Sequence, residues 1–345
     1  MANEGMPDLS VVVPCFNEED ALPVFFQEII PHLDSVVKGN WEIIAVDDGS
    51  NDSTWSIISD YSAKDKRVHG VALSRNFGHQ PAVDAGLIFA SGKYVAILDC
   101  DLQDPPAVLV ELIKKIRAEH YDVCYAVRQS RDANLLLRFL YKLFYRFMMM
   151  LAERAWPLDA GDFCVFNRSA LNSILAMPES IRMLRGLRSW IGLRQGYVSY
   201  DRPARVHGRS KYNLLTLSSL AIRAFVGFSQ VPLRLASWIG FCMTLASIVI
   251  GVFFVLNRLI PGITPFGYYV GQNPGITTLV VLMLFVNSML FLCIGIIGEY
   301  LEVIVKETKG RPTAIVKETA GNPCMQPHKV PIICLPNIHE SRQLK

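Results

Sequence analysis

Two carboxylates separated by one residue follow an apolar segment that predicts a buried strand. The segment is Val95-Ala-Ile-Leu-Asp-Cys-Asp101, and Asp104 follows before two prolines interrupt regular structure. Ionised carboxylates at a strand end repel each other and lose water, so placing them there costs free energy. A divalent cation removes that cost, because Mg²⁺ and Mn²⁺ prefer oxygen ligands and bridge protein carboxylates to substrate phosphates. A solvated acidic turn is the alternative interpretation of this segment taken alone.

Apolar, β-branched segments alternate with helical segments in the first half of the chain. Five strands are predicted, at residues 9–14, 41–46, 68–73, 94–98 and 121–127. This alternation predicts a mostly parallel, doubly wound α/β sheet. In such a sheet, ligands bind at the carboxyl ends of the strands.

Polar side chains recur at three of these strand ends. They are Asn17 with Glu18, Asp47 with Asp48, and Asp99 with Asp101. One acidic strand end is ordinary, but three at one edge of a sheet indicate a crevice for a nucleotide and a metal ion. The chain contains neither GxGxxG nor GxxxxGK[ST], so the nucleotide is not expected to bind as it does in dinucleotide dehydrogenases or P-loop proteins.

The composition indicates a membrane protein whose first domain faces the cytoplasm. Hydrophobic residues make up 51% of the 345 residues, and the mean hydropathy is +0.28. The net charge of +3 gives no indication of a nucleic-acid partner. The eight cysteines include no CxxC pair, which predicts reduced thiols. The first eight residues lack the basic and apolar regions of a signal peptide, so we expect the chain to begin in the cytoplasm.

Two apolar segments near the C-terminal end, residues 233–256 and 276–298, are each long enough to cross a hydrocarbon core of about 30 Å. Cations before the first and after the second predict that both termini are cytoplasmic. Residues 135–151 have a basic stripe that favours a helix in the membrane interface over a buried core helix. The predicted organisation is a catalytic domain at 1–212, an amphipathic interfacial helix at 213–232, a two-span transmembrane hairpin at 233–305, and a partly disordered cytoplasmic tail at 306–345.

Six segments occur in an order that resembles the family 2 glycosyltransferases. They are VVVPCFNEE, VDDGSNDST, LSRNFGHQPAVDAG, ILDCDLQDPP, DAGDF and GRSKYN. Together with the two spans, they are most similar to the branch that transfers a sugar from a nucleotide-sugar to a polyprenyl phosphate. The resemblance covers residues 8–315 and implies a Rossmann-like GT-A domain with a mostly parallel sheet.

The resemblance also implies binding roles at the three strand ends. Asp99 and Asp101 match the DxD motif, which meets the ribose and a diphosphate bound to Mg²⁺ or Mn²⁺. Gln103 and His79 are candidates for contacts to the sugar or the diphosphate, with a structural role as the alternative for each. The residues expected to bind the nucleotide are Pro14, Phe16, Glu18, Asp47, Asp48 and Asp99.

By the same resemblance, Asp162 is the candidate general base and Asp159 is a structural residue, although the spacing of the two carboxylates does not decide between them. The chemistry of the acceptor qualifies this role. A phosphate oxygen is already anionic at neutral pH, so a base has little to abstract. Asp162 is then expected to orient the acceptor or to stabilise the positive charge that develops on the sugar.

A set of basic residues is expected to bind the phosphate of the lipid, through bidentate arginine contacts and a lysine point charge. The alternative is a basic patch attracted to anionic membrane lipids by about 1 kcal/mol per charge. The residues are Arg128, Arg202, Arg205, Arg209 and Lys211.

The predicted function is transfer of one hexose, glucose from UDP-glucose, to undecaprenyl phosphate. The reaction would proceed with inversion at the cytoplasmic face of a bacterial inner membrane. Residues 182–190 lack the QxxRW signature of processive synthases, which favours a single transfer. The resemblance also implies a homo-oligomer. The alternatives are a GDP-mannose or UDP-aminoarabinose donor, or an inactive membrane scaffold or lipid-translocation partner.

Overall fold

In the computed structural model of the protein, the described residues are 6–128, 160–179, 182–201, 238–243, 245–246, 249, 275–321 and 323–335. The chain divides into two compact units. The first comprises Met1–Tyr212 together with Lys309–Lys345, and the second comprises Asn213–Thr308.

The described part of the chain forms nine strands and seven helices with assigned bounds. The strands are β1 (Leu9–Cys15), β2 (Trp41–Asp47), β3 (Val68–Leu73), β4 (Tyr94–Ile97), β5 (Val123–Arg128), β6 (Ala160–Asn167), β7 (Gln195–Tyr200), β8 (Ala314–Ala320) and β9 (Ile332–Cys334). The helices are α1 (Ala21–Val37), α2 (Thr54–Lys64), α3 (His79–Phe89), α4 (Pro106–Ala118), α5 (Arg168–Leu175), α6 (Leu184–Trp190) and α7 (Gly275–Thr308).

All nine described strands belong to one sheet, in the order β7-β5-β6-β4-β1-β2-β3-β8-β9. The pairs β4/β1, β1/β2 and β2/β3 are parallel, as are β5/β7 and β8/β9. Strand β6 is antiparallel to both of its neighbours. The expected mostly parallel sheet is therefore confirmed, and the carboxyl ends of β4, β1 and β2 lie side by side.

Helices cover both faces of the parallel strands, which explains why β1 is buried along its whole length. Alternate side chains of a strand point to opposite faces. Val11 and Val13 pack in one core cluster with side chains of α1 and α4. Val12 points to the other face, where a Cβ atom added to Gly86 of α3 would lie 2.3 Å from Val12 Cγ1. The absence of a side chain at Gly86 therefore lets α3 pack directly against β1.

Part of the segment predicted as a partly disordered cytoplasmic tail, residues 306–345, belongs to the sheet. Strand β8 pairs antiparallel with β3, and β9 pairs with β8, so part of this segment completes the sheet. Ala314 and Val316 of β8 are buried. The prediction missed this strand because its sequence, AIVKETA, is not a continuous apolar run and because it pairs with a strand more than 200 residues earlier in the sequence. β8 satisfies the backbone groups that would otherwise be exposed at the edge of β3.

Helix α7 contains the second predicted membrane span. Within it, Phe285–Thr308 is 24 residues long and includes an apolar window of 18 residues with a mean hydropathy of 2.0, no part of which is buried. At 1.5 Å per residue this helix spans about 36 Å, enough to cross a membrane. It is the one helix among the described residues with this length and character. The first predicted span, the helix at 213–232 and the segment at 135–151 lie mostly or wholly outside the described residues.

Candidate active site

The loops that follow β1 and β2 are joined by hydrogen bonds. The backbone N–H of Asn17 donates to Ser50 Oγ at 2.9 Å, and the side chain of Asn17 accepts from the N–H of Asn51 at 2.9 Å. The N–H of Glu18 donates to Thr54 Oγ1 at 2.9 Å. These contacts hold the strand end that carries Pro14, Phe16 and Glu18 against the strand end that carries Asp47 and Asp48, as the sequence predicted.

Asp48 organises the loop that follows β3. Its carboxylate accepts hydrogen bonds from the backbone N–H groups of Phe77 and Gly78, at 2.7 and 2.9 Å. The two loops also touch at Gly49, which has a φ of +70° and would place a Cβ atom 2.4 Å from the carbonyl carbon of Arg75. Burial raises the pKa of Asp48, and the two backbone hydrogen bonds oppose that rise. Burial likewise raises the pKa of Asp47.

The loop after β4 carries the DxD residues and contains a strained turn. Asp99 is half-buried and Asp101 is exposed. Leu102 has a φ of 55°, which is unusual for a residue with a branched side chain. This conformation directs the N–H of Gln103 to Asp101 Oδ1 at 3.1 Å. The side chains of Gln103 and Asp104 are buried below the turn.

The negative charge around Asp99 suits a divalent cation. Burial raises the pKa of Asp99; the nearby His79 opposes this, while the charges of Asp104 and Asp101 add to it. The described residues include no group of three or more His, Cys, Asp or Glu residues that could hold a metal ion. Two carboxylates are nevertheless sufficient for Mg²⁺ or Mn²⁺ bound to a substrate diphosphate, since such ions keep positions for phosphate and water.

Asp162, on β6, accepts contacts from three neighbouring side chains. Arg185 donates from Nε to Oδ1 at 2.9 Å and from Nη2 to Oδ2 at 3.2 Å. Gln80 Nε2 also donates to Oδ2 at 3.2 Å. His79 Nε2 lies 3.5 Å from the same oxygen and 4.0 Å from Oδ1 of Asp99. Asp162 therefore lies next to the DxD loop, with His79 between the two carboxylates.

These contacts determine the charge of Asp162. Burial alone would raise its pKa, but the hydrogen bond with His79 and the positive charge of Arg185 outweigh burial and hold the pKa well below its ordinary value. Burial would lower the pKa of His79, but its hydrogen bond to Asp162 and the negative charge of Asp99 raise it. Both groups therefore favour their charged forms.

Three arginines on and before α6 hold that helix beside Asp162. Arg185 contacts the carboxylate, and the buried Arg188 donates from Nη1 to the carbonyl oxygen of Gly161 at 3.4 Å. Arg182 forms a buried ion pair with Asp84 of α3 at 3.0 Å. Sequence reasoning missed these residues and Gln80. The signal that was available is the occurrence of an arginine at every third position from 182 to 188.

The side chains of the predicted lipid-phosphate residues lie outside the part of the chain that the structure describes. Arg128 is the last residue of β5 and pairs with Tyr200, but its side chain lies outside the described part of the chain. The remaining members of the set are also outside the described residues: Arg202, Arg205, Arg209 and Lys211. The phosphate-binding role of all five stays a prediction.

The chain is similar in sequence to known glycosyltransferases. Residues 10–175 match the family model described as Glycosyl transferase family 2. The SfII prophage-derived bactoprenol glucosyl transferase of Shigella flexneri is 36% identical over 325 residues, which cover 91% of this chain and 99% of that protein. An uncharacterized glycosyltransferase of Synechocystis sp. is 36% identical over 315 residues, covering 91% of this chain and 96% of the relative. The chain therefore belongs to glycosyl transferase family 2.

Solved structures also include similar proteins. Glucosyl-3-phosphoglycerate synthase from Mycobacterium tuberculosis, in complex with Mn²⁺, UDP and phosphoglyceric acid, is 20% identical. The match covers 64% of this chain and 77% of that chain, with a TM-score of 0.45. Family membership and the mostly parallel sheet together give the first unit the GT-A fold.

Proposed function

We propose that the protein transfers one hexose, glucose from UDP-glucose, to undecaprenyl phosphate, with inversion at the anomeric carbon. The observation that carries this proposal is the meeting of three groups at one edge of the sheet. These are the loops after β1 and β2, the acidic loop after β4, and Asp162 of β6. Relatives named bactoprenol glucosyl transferase, matched over nearly their whole length, support the choice of sugar and acceptor.

The residues at the strand ends suit a nucleoside diphosphate. Carboxylates and backbone groups at Glu18 and Asp47 can accept hydrogen bonds from a base N–H or a ribose hydroxyl. Asp99 and Asp101 would hold Mg²⁺ or Mn²⁺, which would neutralise the leaving diphosphate as a Lewis acid. Asp101 is exposed and so accessible to a ligand in the cleft.

Asp162 acts in this proposal as a fixed anion beside the sugar rather than as a base. Its lowered pKa leaves it ionised at neutral pH but makes it a weak proton acceptor. An acceptor phosphate is itself anionic and needs no deprotonation. A carboxylate held near the anomeric carbon would stabilise the positive charge that develops there as the diphosphate leaves.

The lipid acceptor requires a membrane location. Helix α7 supports it, since Phe285–Thr308 is long and apolar enough to cross a bilayer. We place the enzyme in the bacterial inner membrane with two spans and with its catalytic unit and both termini in the cytoplasm. The basic loop at residues 202–211 would then receive the lipid phosphate. The homo-oligomer implied by the family resemblance is part of this proposal.

The test uses purified full-length protein in detergent with undecaprenyl phosphate and Mn²⁺ or Mg²⁺. Radiolabelled UDP-glucose, GDP-mannose and UDP-aminoarabinose are supplied in separate reactions, and lipid-linked label is counted in the organic phase. We expect label from UDP-glucose, none without divalent cation, and none with the Asp101→Ala variant. Label from another donor would show that glucose is not the transferred sugar. The absence of label from every donor would contradict the proposed transfer.

A further inference from the structure

We propose that Arg185 is a positioning residue that acts through Asp162, with Gln80 as its partner. This inference rests on the proposed function, because it concerns how Asp162 is presented to the reacting sugar. It adds two residues that sequence reasoning did not identify.

The geometry of the contact is that of a two-point clamp. Two nitrogens of the Arg185 guanidinium reach the two oxygens of Asp162, at 2.9 and 3.2 Å. A planar guanidinium bound in this way restricts rotation of the carboxylate, whereas a single point charge does not. Gln80 adds a further donor to Oδ2. The carboxylate is therefore restrained in orientation as well as kept ionised.

Gln80 also connects Asp162 to the helix that carries Arg185. Its Oε1 accepts a hydrogen bond from the backbone N–H of Leu184, the first residue of α6, at 3.0 Å. One amide group therefore joins α3, α6 and β6. A change in the position of α6 would move both of these donors relative to Asp162.

Further buried contacts fix α6 and the residues that precede it. Arg188 contacts the carbonyl oxygen of Gly161 and stacks over the ring of Tyr125, with its guanidinium carbon 4.6 Å from the ring centroid. Arg182 donates to the carbonyl oxygens of Met177 and Ile174, at 2.8 and 3.1 Å. Arg185 differs from both, because its side chain is 44% exposed and points to the carboxylate in the cleft. Its removal should therefore alter the clamp more than the fold.

The experiment is a double-mutant cycle of Arg185→Ala and Asp162→Asn. A positioning error of about 1 Å can lower a rate by roughly 100-fold, so we expect a fall in kcat of about 10- to 100-fold for Arg185→Ala. The KM for UDP-glucose should change by less than about threefold, because Arg185→Ala should not remove a contact that binds the substrate and the transition state equally. Arg185→Lys should recover part of kcat. Arg194→Ala, which removes an exposed arginine outside the cleft, is the control and should match the wild type.

The decisive comparison is made in the Asp162→Asn background, where long incubations with radiolabelled donor measure the residual rate. If Arg185 acts through Asp162, Arg185→Ala should lower this rate by less than about twofold. An equal loss in both backgrounds would overturn the inference and assign Arg185 to direct contact with substrate. The cycle is also measured on hydrolysis of the donor by water. If undecaprenyl phosphate is not the acceptor, the enzyme should hydrolyse the donor without transferring sugar to the lipid. The double-mutant cycle could then still be measured on the hydrolysis rate.

Discussion

The hydroxyl group of Tyr200 donates a hydrogen bond to the buried carboxylate of Asp104. Tyr200 ends β7, and the predicted basic loop of residues 202–211 begins two positions later. Asp104 belongs to the loop that carries Asp101. This one contact therefore ties the end of β7 to the loop that is proposed to hold the metal and the leaving diphosphate.

Replacement of Tyr200 by phenylalanine should weaken this connection. Because Asp104 is only 2% exposed, loss of the hydroxyl donor is expected to lower the free energy of unfolding by about 1–3 kcal/mol. Urea unfolding of the detergent-solubilised protein, followed by circular dichroism, measures the change. Tyr197→Phe is the matched control, because Tyr197 lies on the same strand and is exposed. Equal stability of the two variants would contradict the structural importance of the contact.

Replacement of Asp101 by alanine should abolish sugar transfer and the effect of divalent cation on nucleotide binding. Asp101 is one of the two carboxylates that would hold the cation, and diphosphate binding would lose the charge compensation that the cation supplies. Calorimetric titration of UDP with and without Mn²⁺ measures this effect. Asp60→Ala removes an exposed carboxylate of α2 and should behave as the wild type. Transfer that survives Asp101→Ala would refute the proposed site as a whole.

Replacement of Asp162 by asparagine should lower turnover by about 100-fold or more, with nucleotide binding retained. The asparagine side chain has nearly the same shape but carries no charge to stabilise positive charge on the sugar. Single-turnover transfer and UDP titration on the same preparation separate the two effects. Near-normal turnover would remove Asp162 from the proposed mechanism.

The charge of Asp162 also predicts that the free energy of unfolding depends on pH, and the same variant tests this prediction. The pKa of Asp162 in the folded protein lies below its ordinary value of 3.8, so the folded state favours the ionised form. The resulting stabilisation is fully present above about pH 5 and is lost as the pH falls through the ordinary value toward the lower folded pKa. Unfolding measured from pH 7 to pH 3 should show the advantage of wild type over Asp162→Asn shrinking with acidity. A constant difference would contradict the charge assigned to Asp162.

Replacement of Arg205 by alanine should raise the KM for undecaprenyl phosphate and leave the KM for UDP-glucose nearly unchanged. Arg205 belongs to the predicted lipid-phosphate set, and removal of one charge-assisted contact should weaken acceptor binding. Initial rates at varied acceptor and varied donor concentrations measure the two constants. The reverse pattern would refute the assignment of this loop to the lipid.

Replacement of Val316 by aspartate tests whether β8 belongs to the sheet. Val316 is 2% exposed, so a carboxylate there would be buried without a partner and should cost about 2 kcal/mol or more. Lys317→Gln, at the exposed neighbouring position, is the control. Urea unfolding of the detergent-solubilised protein gives the comparison. An unchanged unfolding curve for Val316→Asp would mean that the segment is a separate tail.

Local sequence was sufficient to predict the parallel sheet and its acidic edge. The runs at β1, β2 and β4 are short, apolar and followed directly by polar residues, so strand, strand end and polar group could be read from neighbouring positions. Parallel strands of an alternating α/β chain share one carboxyl edge, which brings Glu18, Asp47 and Asp99 together without further information. The long apolar helix α7 was likewise predictable from the apolar run at residues 276–298.

Only the tertiary structure revealed how Asp162 is held and where the C-terminal segment lies. Gln80 and Asp162 are 82 positions apart, and Arg185 is 23 positions beyond Asp162. No helix or strand periodicity in the sequence could therefore predict that they meet. Strand β8 adds to β3 because the edge of β3 offers unpaired backbone groups, which are a property of the folded sheet and not of either segment. Composition and spacing identify the groups that can do chemistry, but the donors that orient them come together only when distant elements pack.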